Sequence, residues 1–337
     1  MNILKWLAFG LAFLLSACSP PPSLVKLAGT TMGTQYHVSY YPDANAASPA
    51  SIKAAIDAKL VQVNNQMSHY QADSELSRFN QQTATTPFKV SPATAKVVSE
   101  ALRIGKLSGG AYDITIGPVV NLWSFGPEKR PEKVPSEAEL AKRMAEVGQS
   151  KLQVRGQYLV KERGDIQINL SSIAKGYGVD VVAEYLQSLG IKNFVVEIGG
   201  EVRSHGHKPK GQPWRIAIER PDAYGQAIQE VITPANMAVA TSGDYRNYFE
   251  QAGIRYSHLI DARSGRPIQN RLVSVTVIAP RCMTADGFST AISVLGLEQG
   301  LALANKEKLA VFFIVKTDKG FEERYTDTFK PYLVKRH

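Results

Sequence analysis

The chain has 337 residues, enough for one large domain or two with a sizeable buried core. It carries 39 Lys and Arg against 30 Asp and Glu, a formal net charge of +9, and the basic residues are scattered rather than arranged in a stripe with interleaved aromatic residues. This distribution indicates a mildly anion-attracting surface, suited to acidic lipid headgroups or a phosphate ligand. Nucleic acid is not expected as a partner, because the N-terminus has the pattern of an exported lipoprotein.

The first residues have the pattern of an export signal. Lys5 gives a charged start, the apolar run 6–14 is too short to cross a bilayer, and Leu15-Ser16-Ala17-Cys18 follows. This tetrapeptide resembles the lipobox of bacterial lipoproteins, in which cleavage precedes the cysteine and the cysteine carries the lipid. The alternative is an ordinary signal peptide with an incidental cysteine.

The lipobox resemblance implies a signal peptide over residues 1–17, a lipidated Cys18 with a proline-rich tether over 18–23, and a folded domain over 24–337. It also implies a lipoprotein anchored in the inner or outer membrane and facing the periplasm, with Ser19 favouring the outer membrane. After lipidation Cys282 is the remaining cysteine, so we expect no intrachain disulfide. Cys282 has no nearby activating pattern and is expected to be inert.

Hydrophobic periodicity and capping residues predict a mixture of strands and helices after the tether. The predicted strands are two within Leu24–Tyr41 around a Gly29–Gly33 turn, then Tyr158–Val160, Ile166–Leu170, Phe194–Ile198, Trp214–Ile218, Ile228–Ile232, Tyr256–Asp261, Leu272–Ile278 and Leu309–Val315. The predicted helices open at Ser48-Pro49, at Ser91-Pro92 and at the capping box of Ser136 and Glu139 (this last one ending at Gly148), and cover Ala174–Leu189, Asp286–Leu295 and Glu298–Asn305. Because strands and helices do not alternate regularly and no linker interrupts them, the sequence predicts one α+β domain.

The segment Ile168–Asp180 is a candidate phosphate site. An apolar strand runs into a turn of small residues, and the turn opens a helix beside Lys175. Free N–H donors and the helix dipole at such a junction favour negative charge. The alternative is an ordinary strand–loop–helix connection.

Asp286 and Thr290 form a candidate metal site. They are four positions apart on a predicted helix and therefore share a face, which places a carboxylate beside a hydroxyl. Mg²⁺ prefers such oxygen ligands and often completes its shell with substrate phosphates. The alternative is an ordinary helix start, with Asp favoured by the dipole and Thr bonded back to the helix.

His258 lies on a predicted alternating strand and could act as an acid or base near neutral pH, although a single histidine on a strand can also be structural. Tyr70, Tyr112 and Asp113 could contact an aromatic ligand, or belong to an ordinary core. The chain contains no Gly-x-Ser-x-Gly elbow, Walker A loop, His-Glu-x-x-His or Cys-x-x-Cys, and no Gly-x-Gly-x-x-Gly after a predicted strand. Nucleophilic hydrolases, P-loop proteins and dinucleotide-binding folds are therefore disfavoured.

Several short segments taken in order resemble the ApbE family of flavin transferases, which attach FMN to proteins using FAD. The matching segments are Thr31–Thr34, Met67–Tyr70, Ser77–Asn80, Asp113–Pro118, Leu122–Gly126, Ile173–Tyr177, Glu197–Glu201, Ala240–Tyr245, Ser257-His258, Asp261–Gly265 and Thr284–Asp286 with Thr290. The match covers nearly all of the chain after the tether. It implies a single T-fold-like domain of mixed sheet and helices.

The resemblance also implies roles for individual residues. The residues implied to contact FAD, the substrate, are Met32, Tyr70, Ala111, Tyr112, Asp113, Asn169, Lys175 and His258. The implied Mg²⁺ ligands are the side chains of Asp286 and Thr290, the carbonyl of Ser172 and, as a weaker candidate, a carbonyl near Met283. His258 would lie beside the reacting phosphates and handle a proton or orient a phosphate.

Asn169 departs from the family pattern, which usually has Asp at this position. Asn keeps an acceptor oxygen and adds donors, but it loses the negative charge. Hydrogen bonding to FAD should therefore persist, whereas a carboxylate acting there as a base or metal ligand becomes doubtful.

The reaction implied by the resemblance is transfer of FMN from FAD to a threonine or serine hydroxyl of an acceptor protein, with release of AMP. Acceptors in the family include subunits of the sodium-pumping NADH:quinone reductase and its Rnf relatives. Two alternatives stay open: an Mg²⁺-dependent FAD pyrophosphatase that gives FMN and AMP, and a non-catalytic flavin-binding lipoprotein.

Overall fold

The computed structural model describes residues 23–43, 47–126, 128, 131–221, 227–243 and 248–334. The predicted signal peptide, Cys18 and Ser19 lie outside the described residues, as do Asp244 and Tyr245 of one family segment. The division at residues 17 and 23 therefore stays a prediction.

An antiparallel sheet of eight strands forms the centre of the fold. Its order is β1-β2-β6-β7-β10-β15-β16-β17. These strands are β1 Val25–Thr31, β2 Thr34–Tyr41, β6 Asn193–Ile198, β7 Glu201–His205, β10 Ala238–Gly243, β15 Leu272–Ala279, β16 Ala310–Thr317 and β17 Gly320–Tyr325. Every residue of β15 is buried, because helices cover one face of the sheet and a hairpin with the C-terminal segment covers the other.

Seven helices lie in the described part of the chain. They are α1 Pro49–Met67, α2 Glu75–Gln81, α3 Pro92–Leu107, α4 Gly117–Leu122, α5 Glu137–Met144, α6 Ala174–Ser188 and α7 Cys282–Lys306, with single 3₁₀ turns at Gln149–Lys151, Pro209–Gly211 and Asp327–Tyr332. The predicted caps are confirmed, since Ser48, Ser91 and Ser136 each accept a backbone N–H of the first turn. Five apolar residues of α1 face the core as a single buried stripe, namely Ile52, Ile56, Leu60, Val63 and Met67.

Short hairpins complete the domain. The strands are β3 Phe88–Lys89, β4 Leu152–Arg155 and β5 Tyr158–Lys161 in one small sheet, and the pairs β8 Ile216–Glu219 with β9 Ile228–Ile232, β11 Tyr248–Gln251 with β12 Ile254–Ser257, and β13 Ile260–Asp261 with β14 Arg266–Pro267. The α+β prediction is thus confirmed. Among the described helices α7 has the length and apolarity of a membrane span, but it is the core helix and most of its apolar stretch is buried.

Four local predictions were wrong. Ile166–Leu170 is not a strand, because its backbone groups bond to side chains and loops instead of a neighbouring strand. His258 lies at a bend between β12 and β13 rather than within a strand. Helix α5 ends at Met144, before Gly148. The helix predicted from Asp286 starts earlier, at Cys282, whereas the predicted break between Leu295 and Glu298 is confirmed, because α7 kinks at Gly296, where φ is +77°.

Candidate active site

A cavity of about 360 Å³ opens where α6 and α7 meet the loops beside the sheet. This volume is in the range of small-molecule sites, roughly 300–1,000 Å³. The predicted site residues that line it are Tyr70, Ala111, Tyr112, Asp113, Asn169, Ser172, Lys175, His258, Asp286 and Thr290. The fold therefore brings together residues that are far apart in the sequence.

Helices α6 and α7 form one wall of the cavity and are joined by reciprocal hydrogen bonds. Asp286 on α7 accepts the N–H of Gly176 in the first turn of α6, at 2.9 Å. Asp180 on α6 accepts the N–H groups of Cys282 and Met283 in the first turn of α7, at 3.0 and 3.1 Å. Each helix thus supplies a carboxylate to the other's unsatisfied N-terminal donors.

Gly176 allows this close crossing. A Cβ at this position would lie 2.5 Å from the carbonyl oxygen of Cys282 and 2.8 Å from the Cβ of Asp286. Both neighbouring atoms belong to rigid parts of α7, so a side chain would push the helices apart. Glycine at this position therefore sets the distance between Lys175 and Asp286.

Three charged groups meet at the floor of the cavity. Lys175 Nζ lies 2.5 Å from Glu201 Oε1, and Asp286 acts on both residues electrostatically. Burial raises the pKa of Asp286 to about 6, against the opposing effects of Lys175 and the Gly176 N–H. Burial and the charge of Asp286 raise the pKa of Glu201 to about 8. Although burial alone would lower the pKa of Lys175, the two carboxylates raise it to about 12. The lysine is therefore held as a cation.

Glu201 is the least satisfied of these groups. Its side chain is almost completely buried, and its Oε2 has no hydrogen-bond partner among the described residues. A buried carboxyl oxygen without a partner is costly, and a polar group of a ligand in the cavity could satisfy it.

The turn before α6 forms a second wall. Asn169 donates its N–H to the carbonyl of Ile114 at 2.7 Å, and its Oδ1 accepts the N–H of Ser171 at 2.9 Å. The Ser172 hydroxyl donates to the phenolic oxygen of Tyr112 at 3.0 Å. Burial raises the pKa of Tyr112, which is therefore neutral. These contacts fix the turn against the loop that follows α3.

Asp113 lines the cavity, but its carboxylate organises the surrounding loop. Oδ1 accepts the N–H and the hydroxyl of Thr115 at 2.7 and 2.6 Å, and Oδ2 accepts the N–H of Gln149 at 3.0 Å. Such an Asx-type turn fixes the backbone around Asp113. A contact between FAD and this residue would share a carboxylate that already accepts three hydrogen bonds.

The outer edge of the cavity, here called the rim, carries His69, Tyr70, Phe125 and His258. His69 and Tyr70 lie ring against ring with centroids 4.2 Å apart, and the Tyr70 side chain is 69% exposed. The rings of Phe125 and His258 lie edge to face, with centroids 6.3 Å apart. Burial lowers the pKa of His69 to about 4, so this histidine is neutral at physiological pH.

Two predicted residues do not line the cavity. Met32 lies in the β1–β2 turn and lines a separate surface depression, and Met283 is buried in the first turn of α7. Their implied roles stay predictions. Sequence reasoning missed His69 and Glu201 as cavity residues, although both stand inside family segments, at Met67–Tyr70 and Glu197–Glu201.

The fold and the site define a single α+β domain with a small-molecule cavity floored by charged and oxygen-bearing groups. The ApbE family model matches residues 32–313. The FAD:protein FMN transferase of Vibrio cholerae is 52% identical over 332 residues, 98% of this chain and 99% of that protein. The enzyme of the same name from Haemophilus influenzae is 48% identical over 331 residues, 96% of each chain.

Solved structures give the same result. The flavin transferase ApbE from Vibrio cholerae matches with a TM-score of 0.88 at 51% identity, covering 93% of this chain and all of that one. The apo form of the flavinyl transferase ApbE from Pseudomonas stutzeri matches with a TM-score of 0.86 at 39% identity, covering 93% and 97%. The chain belongs to the ApbE family. The fold and the flavin transferase class of enzyme predicted from the motifs are thereby confirmed.

Proposed function

We propose that this protein is an Mg²⁺-dependent FAD:protein FMN transferase. A threonine or serine hydroxyl of the acceptor attacks the phosphorus on the FMN side of the FAD pyrophosphate. A new P–O bond forms to that hydroxyl oxygen, the bond to the bridging oxygen breaks, AMP leaves, and the hydroxyl proton is released. The observation that carries the proposal is the one cavity that gathers almost all of the residues with implied roles.

The cavity suits a dinucleotide with a charged centre. The aromatic rings of Tyr70 and Tyr112 and the amide of Asn169 can bind flavin or adenine groups. Lys175 supplies a permanent cation for phosphate oxygens. The amides of Ala174 and Gly176 in the first turn of α6 already donate to Leu170 and Asp286. Phosphate binding at this helix therefore depends mainly on the Lys175 side chain.

The donor set fits Mg²⁺. Among the described residues no three His, Cys, Asp or Glu side chains lie together as a metal cluster. The cavity instead offers mixed oxygens: the Asp286 carboxylate, of which only Oδ2 bonds to Gly176, the Thr290 hydroxyl and the Ser172 backbone. Mg²⁺ commonly binds to one or two carboxylates and completes its shell with phosphate oxygens and water. Bound Mg²⁺ would neutralise charge on the pyrophosphate.

His258 is the proposed proton-handling residue. It lies at the rim on the bend between β12 and β13, with Phe125 against its ring. From this position an imidazole can accept the proton of an incoming hydroxyl or orient a phosphate oxygen.

The proposed setting is the periplasmic face of a membrane, reached by a lipid on Cys18, with Ser19 favouring the outer membrane. The proposed acceptors are subunits of membrane redox pumps of the sodium-pumping NADH:quinone reductase and Rnf types. A tethered enzyme and these subunits would then meet in one compartment.

The test is mass spectrometry of a candidate acceptor subunit after incubation with the protein, FAD and Mg²⁺. We expect a mass gain equal to FMN on a threonine or serine, and one AMP released for each FMN attached. We expect Asp286→Ala to abolish transfer while the protein stays folded, and His258→Ala to reduce the rate by roughly 10²–10⁴ with FAD affinity mostly retained.

The matched controls are Asp318→Ala and His37→Ala, which remove exposed side chains outside the cavity. Both should transfer FMN at the parent rate. Release of AMP and FMN without acceptor modification would instead identify a pyrophosphatase. Tight FAD binding with no AMP release would identify a flavin-binding lipoprotein. Normal transfer by folded Asp286→Ala would refute the metal assignment.

A further inference from the structure

The segment from Ile166 to Ser172 carries cavity residues although no strand of the described residues pairs with it. Ile166, Ile168 and Leu170 are buried in alternation, which is the pattern of a strand. Buried backbone groups need partners whether or not they belong to a sheet. Side chains from α2 and β5 supply several of these partners here.

Asn80, the penultimate residue of α2, takes the place of a neighbouring strand. Its Oδ1 accepts the N–H of Ile168 at 2.8 Å, and its Nδ2 donates to the carbonyl of the same residue at 2.9 Å. The side-chain amide thus makes the pair of bonds that a strand partner would make. Ile168 directly precedes Asn169, which lines the cavity.

Lys161 at the end of β5 holds the start of the same segment. Its buried ammonium donates to the carbonyls of Phe79, Gly164 and Ile166, at 3.2, 3.1 and 3.1 Å. One of these acceptors belongs to the residue next to Asn80. Helix α2 is therefore bonded to the segment at two consecutive positions, Phe79 through Lys161 and Asn80 directly.

The hydrogen bonds that fix Ile168 also affect the turn that follows it, whose residues line the cavity. Asn169 donates to the Ile114 carbonyl and accepts from Ser171, and Ser172 bonds to Tyr112. A shift of Ile168 would move this hydrogen-bonded turn together with the groups it presents. Loss of this buried pair of bonds would leave the Ile168 N–H and carbonyl without partners, which favours a displaced turn.

We propose that Asn80 is a positioning residue that fixes the nucleotide-contacting turn Asn169–Ser172 by acting as a substitute strand for Ile168. This inference rests on the proposed function, because it assigns the turn to FAD. It also gives a role to the family segment Ser77–Asn80, whose residues do not line the cavity. Ile168 adjoins Asn169, which would hold FAD equally before and during transfer, and not Ser172 at the proposed metal, so loss of Asn80 should act on binding.

The test compares Asn80→Ala with Gln82→Ala in the full-length protein. Gln82 follows directly after α2 and also donates its amide to backbone carbonyls, of Ala84 and Thr86 at 2.9 and 2.8 Å, away from the cavity. For Asn80→Ala we expect about a tenfold weaker Kd for FAD, a similar rise in KM, and kcat within about twofold of the parent. Hydrogen exchange should accelerate at Ile168 and Asn169. Gln82→Ala should change none of these quantities.

Asn80→Asp is the second variant, in case the alanine variant does not fold. It has the same shape and can still accept from Ile168 N–H, but it places a carboxylate oxygen against the Ile168 carbonyl. It should also weaken FAD binding. Parent-like Kd and exchange in either folded variant, or a fall in kcat at unchanged KM, would overturn the proposal. If the parent protein does not bind FAD, the proposed function fails, whereas the exchange measurement still decides whether Asn80 fixes the turn.

Discussion

The helix wall of the cavity and its rim are built in different ways. The helix wall presents Lys175, Asp286 and Thr290 from α6 and α7, and Asp286 is only 4% exposed. The rim presents side chains from turns and loops, and its Tyr70 is 69% exposed. Reciprocal hydrogen bonds and a close helix crossing hold the wall.

This difference predicts how each region responds to substitution. The wall belongs to the domain core, so its geometry and the free energy of unfolding should change together. The exposed Tyr70 of the rim contributes little to the core, so its substitution should alter ligand binding and leave stability intact. The following predictions test that separation, from the largest expected effect to the smallest.

Asp180→Ala should have the largest effect, although Asp180 does not line the cavity. The substitution leaves two first-turn N–H groups of α7 and the guanidinium of Arg203 without their carboxylate. Breaking such a buried set costs about 3–5 kcal/mol of unfolding free energy. Urea unfolding measures this loss of unfolding free energy. The affinity for FAD should fall in the same variant.

Asp327→Ala is the matched control for Asp180. It removes an exposed carboxylate that pairs with Lys330 at the surface. Because exposed pairs contribute little, the urea midpoint should not change. If Asp180→Ala also left the urea midpoint unchanged, the stability of the helix wall would not depend on the interhelix hydrogen bonds.

Gly176→Ala should be the next largest. The added Cβ meets the Cys282 carbonyl and Asp286 Cβ, and overpacking of this kind costs about 1–3 kcal/mol. Gly105→Ala on α3 is the control, because the three atoms nearest its Cβ belong to the movable side-chain amide of Gln149. Of the two variants, Gly176→Ala alone should show a lower Tm in thermal unfolding. It should also bind FAD more weakly.

His69 is a rim residue that should affect stability, contrary to the expectation for the exposed Tyr70, because burial lowers its pKa to about 4. Between the unfolded value near 6.5 and that folded value, the unfolded chain binds a proton that the folded protein does not. Stability should therefore fall as the pH falls, by about 1 kcal/mol from pH 6.5 to 5.5. His69→Gln should remove this part of the pH slope in urea unfolding. An identical slope would mean that His69 is solvated in the folded state.

Tyr70→Ala should have the smallest effect on stability, within about 0.5 kcal/mol, since the side chain is exposed. FAD binding should weaken by about 0.5–1.5 kcal/mol if the ring stacks on the ligand. Tyr158→Ala removes an exposed tyrosine of β5 outside the cavity and should leave binding unchanged. Fluorescence titration with FAD distinguishes Tyr70→Ala from Tyr158→Ala. A large loss of stability in Tyr70→Ala would contradict the expectation that the rim and the helix wall respond differently to substitution.

Much of the fold could be predicted from local signals. Serine caps, the apolar stripe of α1 and the buried runs of the central strands act within a few residues, so the sequence alone identifies them. The shared face of Asp286 and Thr290 likewise follows from helix periodicity. The order of the family segments then indicates which residues belong to one FAD-binding site.

One of the wrong predictions occurred where hydrogen-bond partners come from far along the chain. Ile166–Leu170 alternates like a strand, but its partners are Asn80 and Lys161. The apolar pattern around His258 continues past the bend and therefore predicts a strand where the structure has none. Glu201 gave no local signal, since its cost arises only when the sheet buries it beside Lys175 and Asp286.

The sequence by itself determined the α+β class, the serine-capped helix starts and the family, because these depend on short-range patterns and segment order. Only the tertiary structure decided which oxygens and cations meet in the cavity. It decided that two helices cap each other, that Glu201 is buried without a full set of partners, and that Asn80 replaces a strand. Distances between remote residues follow from packing, and periodicity along the chain does not contain them.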